Sequence, residues 1–260
     1  MGFPASAPGQ SGGSRPARGR HGGPPIVFDA PNPSGILRTI ALNGNTLDLS
    51  NPFFQSLGAN GRSCASCHVP SSAWTITPAE VQARFDATEG LDPLFHTNDG
   101  SNSPDADVST LAARRRAYSL LLNKGLIRVG LPIPAGAEFE LVDVDDPYGY
   151  ASAAELSLFR RPLPATNLRF LTAVMWDGRE SFAPNSTIPI DSDATPEQNA
   201  EALFADLKHQ ANGATLGHAQ AIAPLTEAQQ EAIVRFELNL ATAQQVDRGA
   251  GGLSARGAQG

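Results

Sequence analysis

A mainly α-helical fold with long loops is what this sequence predicts, and three observations carry the prediction. Hydroxyl-initiated helix starts recur along the chain, alternating strand patterns are scarce, and 25 Gly and 21 Pro among 260 residues give much of the length to connections. A hydrophobic content of 41% is enough to bury a sizeable core.

Residues 1–25 contain seven Gly, five Pro, three Ser and three Arg, a composition that reads as a disordered tail. That tail has no acidic residue, so the predicted folded domain, residues 26–247, is more acidic than the overall charge of -7 and the pI near 5.2 indicate. An acidic surface repels phosphate backbones, which argues against nucleic acid as a partner. No apolar targeting core follows Met1. Thr77-Pro78-Ala79-Glu80 combines a hydroxyl N-cap, Pro at the first helical position and a carboxylate three residues after the cap, which opens a helix to about Ala87. Val108 to Asn123 reads as a second helix, closed by Gly125 in the left-handed conformation. The most apolar stretch, Leu120 to Pro134, is interrupted by Asn123, Lys124 and Arg128, so it predicts no membrane span. Glu138 to Val142 alternates and reads as a short hairpin arm. Thr195-Pro196-Glu197-Gln198 starts a helix whose apolar face is Ala200, Leu203, Phe204, Leu207 and Ala211. Thr226-Glu227-Ala228-Gln229 starts another, with Ile233, Phe236 and Leu240 on its inner side. Residues 248–260 read as a flexible C-terminal tail.

The two cysteines, Cys64 and Cys67, are too few for a disulfide framework, but their spacing has its own meaning. Cys64-Ala65-Ser66-Cys67-His68 is the attachment pattern of c-type haem. On one tight turn two thiols can reach the two vinyl groups of a porphyrin edge, and the next residue offers an imidazole to the iron. Two other chemistries share part of the pattern. A thioredoxin-like redox pair requires a long helix after the motif, whereas Val69-Pro70 stops one here; a zinc site requires further N or S ligands from distant histidines.

The run from Asn51-Pro52-Phe53-Phe54 to Gly61-Arg62-Ser63-Cys64-Ala65-Ser66-Cys67-His68 resembles the first haem domain of the bacterial dihaem cytochrome c peroxidases and the MauG-like proteins. Arg161-Pro162-Leu163-Pro164-Ala165-Thr166-Asn167-Leu168, followed by Met175-Trp176-Asp177-Gly178-Arg179, is similar to a second fingerprint of that domain. Leu207-Lys208-His209-Gln210-Ala211 and Gly217-His218-Ala219-Gln220 are similar to its distal face. The resemblance implies an elaborated cytochrome c-like haem domain with one covalent haem c and with His68 as the iron ligand. It further implies that Trp176 assists electron transfer between two haems and that Gln210 lines the distal pocket. Peroxidase members place an acid-base glutamate where this chain has Gln220, and an amide cannot shuttle a proton. His218 is the neighbouring group able to do so, or to bind the iron itself. No second C-x-x-C-H follows, and the segment after Asp247 resembles the linker to a second haem domain, so the chain corresponds to one half of a two-haem architecture.

Candidates for the sixth iron position are Met175, His96, His209 and His218. Arg179, Arg160 and Arg161 are candidates for gripping haem propionates, with an ion pair to Asp177 or Glu180 as the competing role. The expected functions are electron transfer with a redox partner protein, such as a second haem domain or cytochrome, or reduction of hydrogen peroxide at an open distal face. The expected compartment is the periplasm, where such haems are attached.

Overall fold

The structure is a computed structural model that describes residues 26–43, 47–181 and 193–253. The expected tail at 1–25 and the end of the expected C-terminal tail, 254–260, lie outside the described residues.

The expectation of a mainly α-helical fold is overturned, and the chain is a mixture of helices and antiparallel sheet. Strands β1 (Ile26–Asn32) and β2 (Gly35–Ala41) form a hairpin across Pro33 and Ser34, with Gly35 paired to Asn32. Helices α1 (Pro78–Thr88), α2 (Leu111–Ala117) and α3 (Ser119–Lys124) follow, and then a two-stranded sheet of β3 (Ile127–Gly130) and β4 (Ser157–Arg160). Next come the long helix α4 (Pro196–Gly217), α5 (Glu227–Leu238), β5 (Leu240–Asp247) and a short β6 (Gly251–Gly252). The larger sheet has the order β1-β2-β5-β6, so the last long strand pairs with the second. Pro31, Pro33 and Gly35 make the first hairpin look like loop sequence, and Ala and Gln in β5 favour helix by propensity. Strand propensity is weak beside pairing and burial, and here pairing wins.

The predicted hairpin arm at 138–142 is also overturned. That stretch is loop, with Phe139 66% and Val142 91% exposed, and the pairing falls on β3 and β4, which flank it. The predicted helix over 108–123 forms as two, α2 and α3, broken at Tyr118, whose buried side chain donates to the Phe95 carbonyl (3.0 Å). Gly125 adopts the left-handed cap, φ 64°. All three hydroxyl-started helices are present, and Thr195 and Thr226 form reciprocal capping boxes with Gln198 and Gln229. Thr77 caps α1, but the Glu80 carboxylate turns away and accepts from Ser72 (2.7 Å).

Three apolar clusters fill the interior. One joins α1 and α3 through Val81, Phe85, Leu121 and Leu122. The second joins Phe53 and Trp74 to Ala211, Ile233 and Leu240, and the third packs Leu203 and Leu207 of α4 against Val234 of α5. Among the described residues no helix is long and apolar enough to cross a membrane.

Candidate functional site

The cysteine motif sits where two cores meet. Cys67 packs against the first cluster and Cys64 against the second. Cys64–Ser66 form a single 3-10 turn, and the His68 amide donates to the Cys64 carbonyl (3.0 Å), so both thiols and the imidazole issue from one coil of backbone. Ser63 and Ser66 close the turn from its start, and Arg84 of α1 donates to the Ser66 carbonyl (2.5 Å) at its end. Both cysteines are free. Burial pushes the Cys64 thiol up to about 12 and the Cys67 thiol up to about 11, so both are protonated at neutral pH.

His68 is oriented by one carbonyl. Its Nδ1 lies 2.8 Å from the Trp74 oxygen, which can only accept, so Nδ1 carries the proton and Nε2 keeps its lone pair. Burial also holds the imidazole below its ordinary range and therefore neutral, and a positive charge on His218 would lower it further. A neutral ring with a free Nε2 is the state a metal ligand requires.

Trp74 reaches that position through unusual backbone. Ala73 and Trp74 both have positive φ, 55° and 59°, a left-handed pair that costs non-glycine residues energy. The fully buried indole repays it by donating to Thr39 of β2 (3.1 Å), whose hydroxyl bonds Thr242 of β5 (2.8 Å), which in turn bonds Thr166 (2.9 Å). The Trp74 oxygen also accepts from the Ala165 amide (2.9 Å). The sheet that sequence patterns did not reveal thus holds the residue that aims His68.

His218 caps the end of α4. Its Nδ1 is 2.6 Å from Asp99 Oδ2, and Asp99 Oδ1 is ion-paired with Arg62. Arg62 is buried and also donates to the carbonyls of Pro93 (2.7 Å), Leu94 (2.6 Å) and His218 (3.1 Å). Gly58 lets the chain before the motif lie against the 218–220 segment, since a Cβ there would stand 1.8 Å from the Ala219 oxygen.

The other predicted residues are placed differently. Gln210 is half-buried on α4, while Gln220 is exposed, with φ 55°, and its amide oxygen accepts from Asn60 (3.4 Å). Trp176 is 59% exposed and donates to the Arg161 carbonyl (2.8 Å). Arg179 is paired with Asp177 (2.7 Å), and Arg160 shares that carboxylate (3.3 Å), so the ion-pair role is the one the geometry displays. Of the remaining sixth-ligand candidates, His209 bonds Glu180 (2.9 Å) with an 80% exposed ring, His96 bonds Asn98 (2.9 Å), and Met175 occupies a left-handed turn before Trp176.

Sequence reasoning passed over Trp74, Arg62, Asp99 and Glu237. Glu237 on α5 is buried, one of its oxygens has no hydrogen-bond partner, and burial raises its carboxyl to about 8. Its charge would in turn raise the Cys64 thiol. Trp74 had one available signal, as one of two tryptophans and close after the motif; the acids had none, because their partners are remote in sequence.

The motif brings together two thiols on one turn, one neutral imidazole with a free nitrogen and apolar packing on both sides, the residue types that a covalent haem would need. Among the described residues no three His, Cys, Asp or Glu side chains converge on a metal-ion position. A cavity of about 350 Å³ lies elsewhere, between the first hairpin and α5, lined by Phe28, Trp74 and Phe236 and by none of the motif residues. No family model matches the chain, and neither a curated protein nor a solved structure shows significant similarity to it.

Proposed function

We propose that this chain binds one covalently attached haem c and takes part in electron transfer outside the cytoplasm, in the periplasm, with a redox protein as partner. The observation that carries the proposal is the His68 geometry: Nδ1 is spent on the Trp74 oxygen at 2.8 Å, beside two thiols on one turn. When bound, the haem supplies reversible one-electron chemistry at its iron. Cys64 and Cys67 would hold the group through two thioether links to its vinyl positions. His68 would offer Nε2 to the iron, with the Trp74 carbonyl holding the ring by its Nδ1.

Expression of the full chain alongside haem-maturation machinery, followed by a pyridine haemochrome spectrum of denatured protein, tests this. Two thioethers give the band position of a fully saturated haem c, and Cys67→Ser shifts it to that of a single-thioether haem. Absence of covalently bound haem would falsify the proposal.

A second reading, peroxide reduction at an open face, is favoured by one observation: the half-exposed His218 ring, backed by a buried carboxylate. In that reading His218 does the proton work that the amides of Gln210 and Gln220 cannot. Conversion of a high-spin ferric spectrum on addition of hydrogen peroxide supports it; a low-spin spectrum indifferent to peroxide removes it.

A further inference from the structure

We propose that Asp99 is a positioning residue that fixes His218 as a proton acceptor, with Arg62 holding Asp99 in its charged form. The proposal rests on the peroxide-reactive reading of the site. Asp99 is 7% exposed at its side chain and Arg62 3%, whereas the His218 ring is 43% exposed. The arrangement therefore runs from a rigid interior outward to one reachable imidazole. A carboxylate only accepts, so the 2.6 Å bond from His218 Nδ1 to Asp99 Oδ2 puts a proton on Nδ1, and in the neutral ring the lone pair is then on Nε2.

Burial opposes a charge on Asp99, but the His218 bond and the Arg62 guanidinium outweigh it and hold the carboxyl below its ordinary range. The backbone is fixed as well as the ring. The His218 carbonyl accepts from Asn60 (2.8 Å), Arg62 (3.1 Å) and Asn98 (3.4 Å), so the residue cannot swing without breaking bonds from three side chains. A buried carboxylate behind one nitrogen of a 43% exposed imidazole is the geometry of an oriented general base.

In the peroxide-reactive reading on which this rests, the substrate is a small hydroperoxide. Its O–H bond breaks heterolytically, the proton passes to His218 Nε2, and the electron pair stays on oxygen as hydroperoxide anion. The positive imidazolium is then stabilised by the Asp99 carboxylate.

Nitrogen-15 NMR of His218 in the full chain reads the tautomer directly. The expected signals are a protonated Nδ1 and an unprotonated Nε2 in the wild type, lost or mixed in Asp99→Asn, because an amide can donate where the carboxylate only accepts. A wild-type ring protonated at Nε2 overturns the proposal, without recourse to any variant. In haem-loaded protein, Asp99→Asn and His218→Ala should each slow the peroxide-induced change of the ferric spectrum by about 100-fold, and the double variant should lose little more. A wild-type rate in Asp99→Asn overturns the proposal. Should no haem be attached, the haem reading fails, while the tautomer measurement still decides whether Asp99 sets the state of His218.

Discussion

Trp74 concentrates the logic of the site in one residue. Its carbonyl serves the His68 imidazole and the Ala165 amide, and its indole reaches the sheet, so the ring that faces the motif is fixed from two directions. Gly58 has the opposite character, because it matters for what it lacks. A methyl group there would overlap the Ala219 backbone at 1.8 Å and push away the segment that carries His218. Gly58→Ala is expected to cost about 3 kcal/mol in denaturant unfolding, the upper part of the overpacking range, and a cost near zero would show that the contact is not made. At this scale the sequence was legible where chemistry is local. Cys64, Cys67 and His68 announce themselves by spacing, whereas Asp99 acquires meaning only from His218, 119 residues away.

Helices were legible because their starts are written in short range. Thr77, Thr195 and Thr226 each accept from a backbone amide within their own first turn, so nothing distant is needed to recognise them. Thr226→Ala should remove about 1 kcal/mol, read as a lower denaturant midpoint at an unchanged slope. Leu207→Ala, in the fully packed face of α4 against α5, should remove about 2–5 kcal/mol; a smaller loss for Leu207 than for Thr226 would contradict the packing described. Strands β1, β2 and β5 were not legible. β2 pairs with β5 across almost the whole chain; β-formers such as Val27, Phe28, Ile36 and Ile40 stand in the hairpin, but Pro31, Pro33 and Gly35 mask them, and the Ala- and Gln-bearing β5 carries no local strand signal.

For the molecule as a whole, two buried carboxyls set opposite dependences on pH. Glu237 rises from an ordinary 4.5 to about 8, so its folded state holds a proton that the unfolded chain releases. Its contribution is complete below pH 4.5 and is lost as pH climbs through about 8. Asp99 moves down from 3.8, so its contribution is present above that value and is lost in stronger acid. Thermal denaturation across pH should therefore show a wild-type decline between pH 4.5 and 8 that Glu237→Gln flattens; parallel curves for the two proteins would contradict it.

The pairing of β2 with β5 also sets an order of events in time. A chain made from its N-terminus exposes Cys64 and Cys67 long before Asp247 exists, and Thr242 cannot anchor Thr39 and Trp74 until that last long strand arrives. Until then the motif turn has no finished wall behind it; once β5 docks, the two thiols are held between their cores while staying partly exposed.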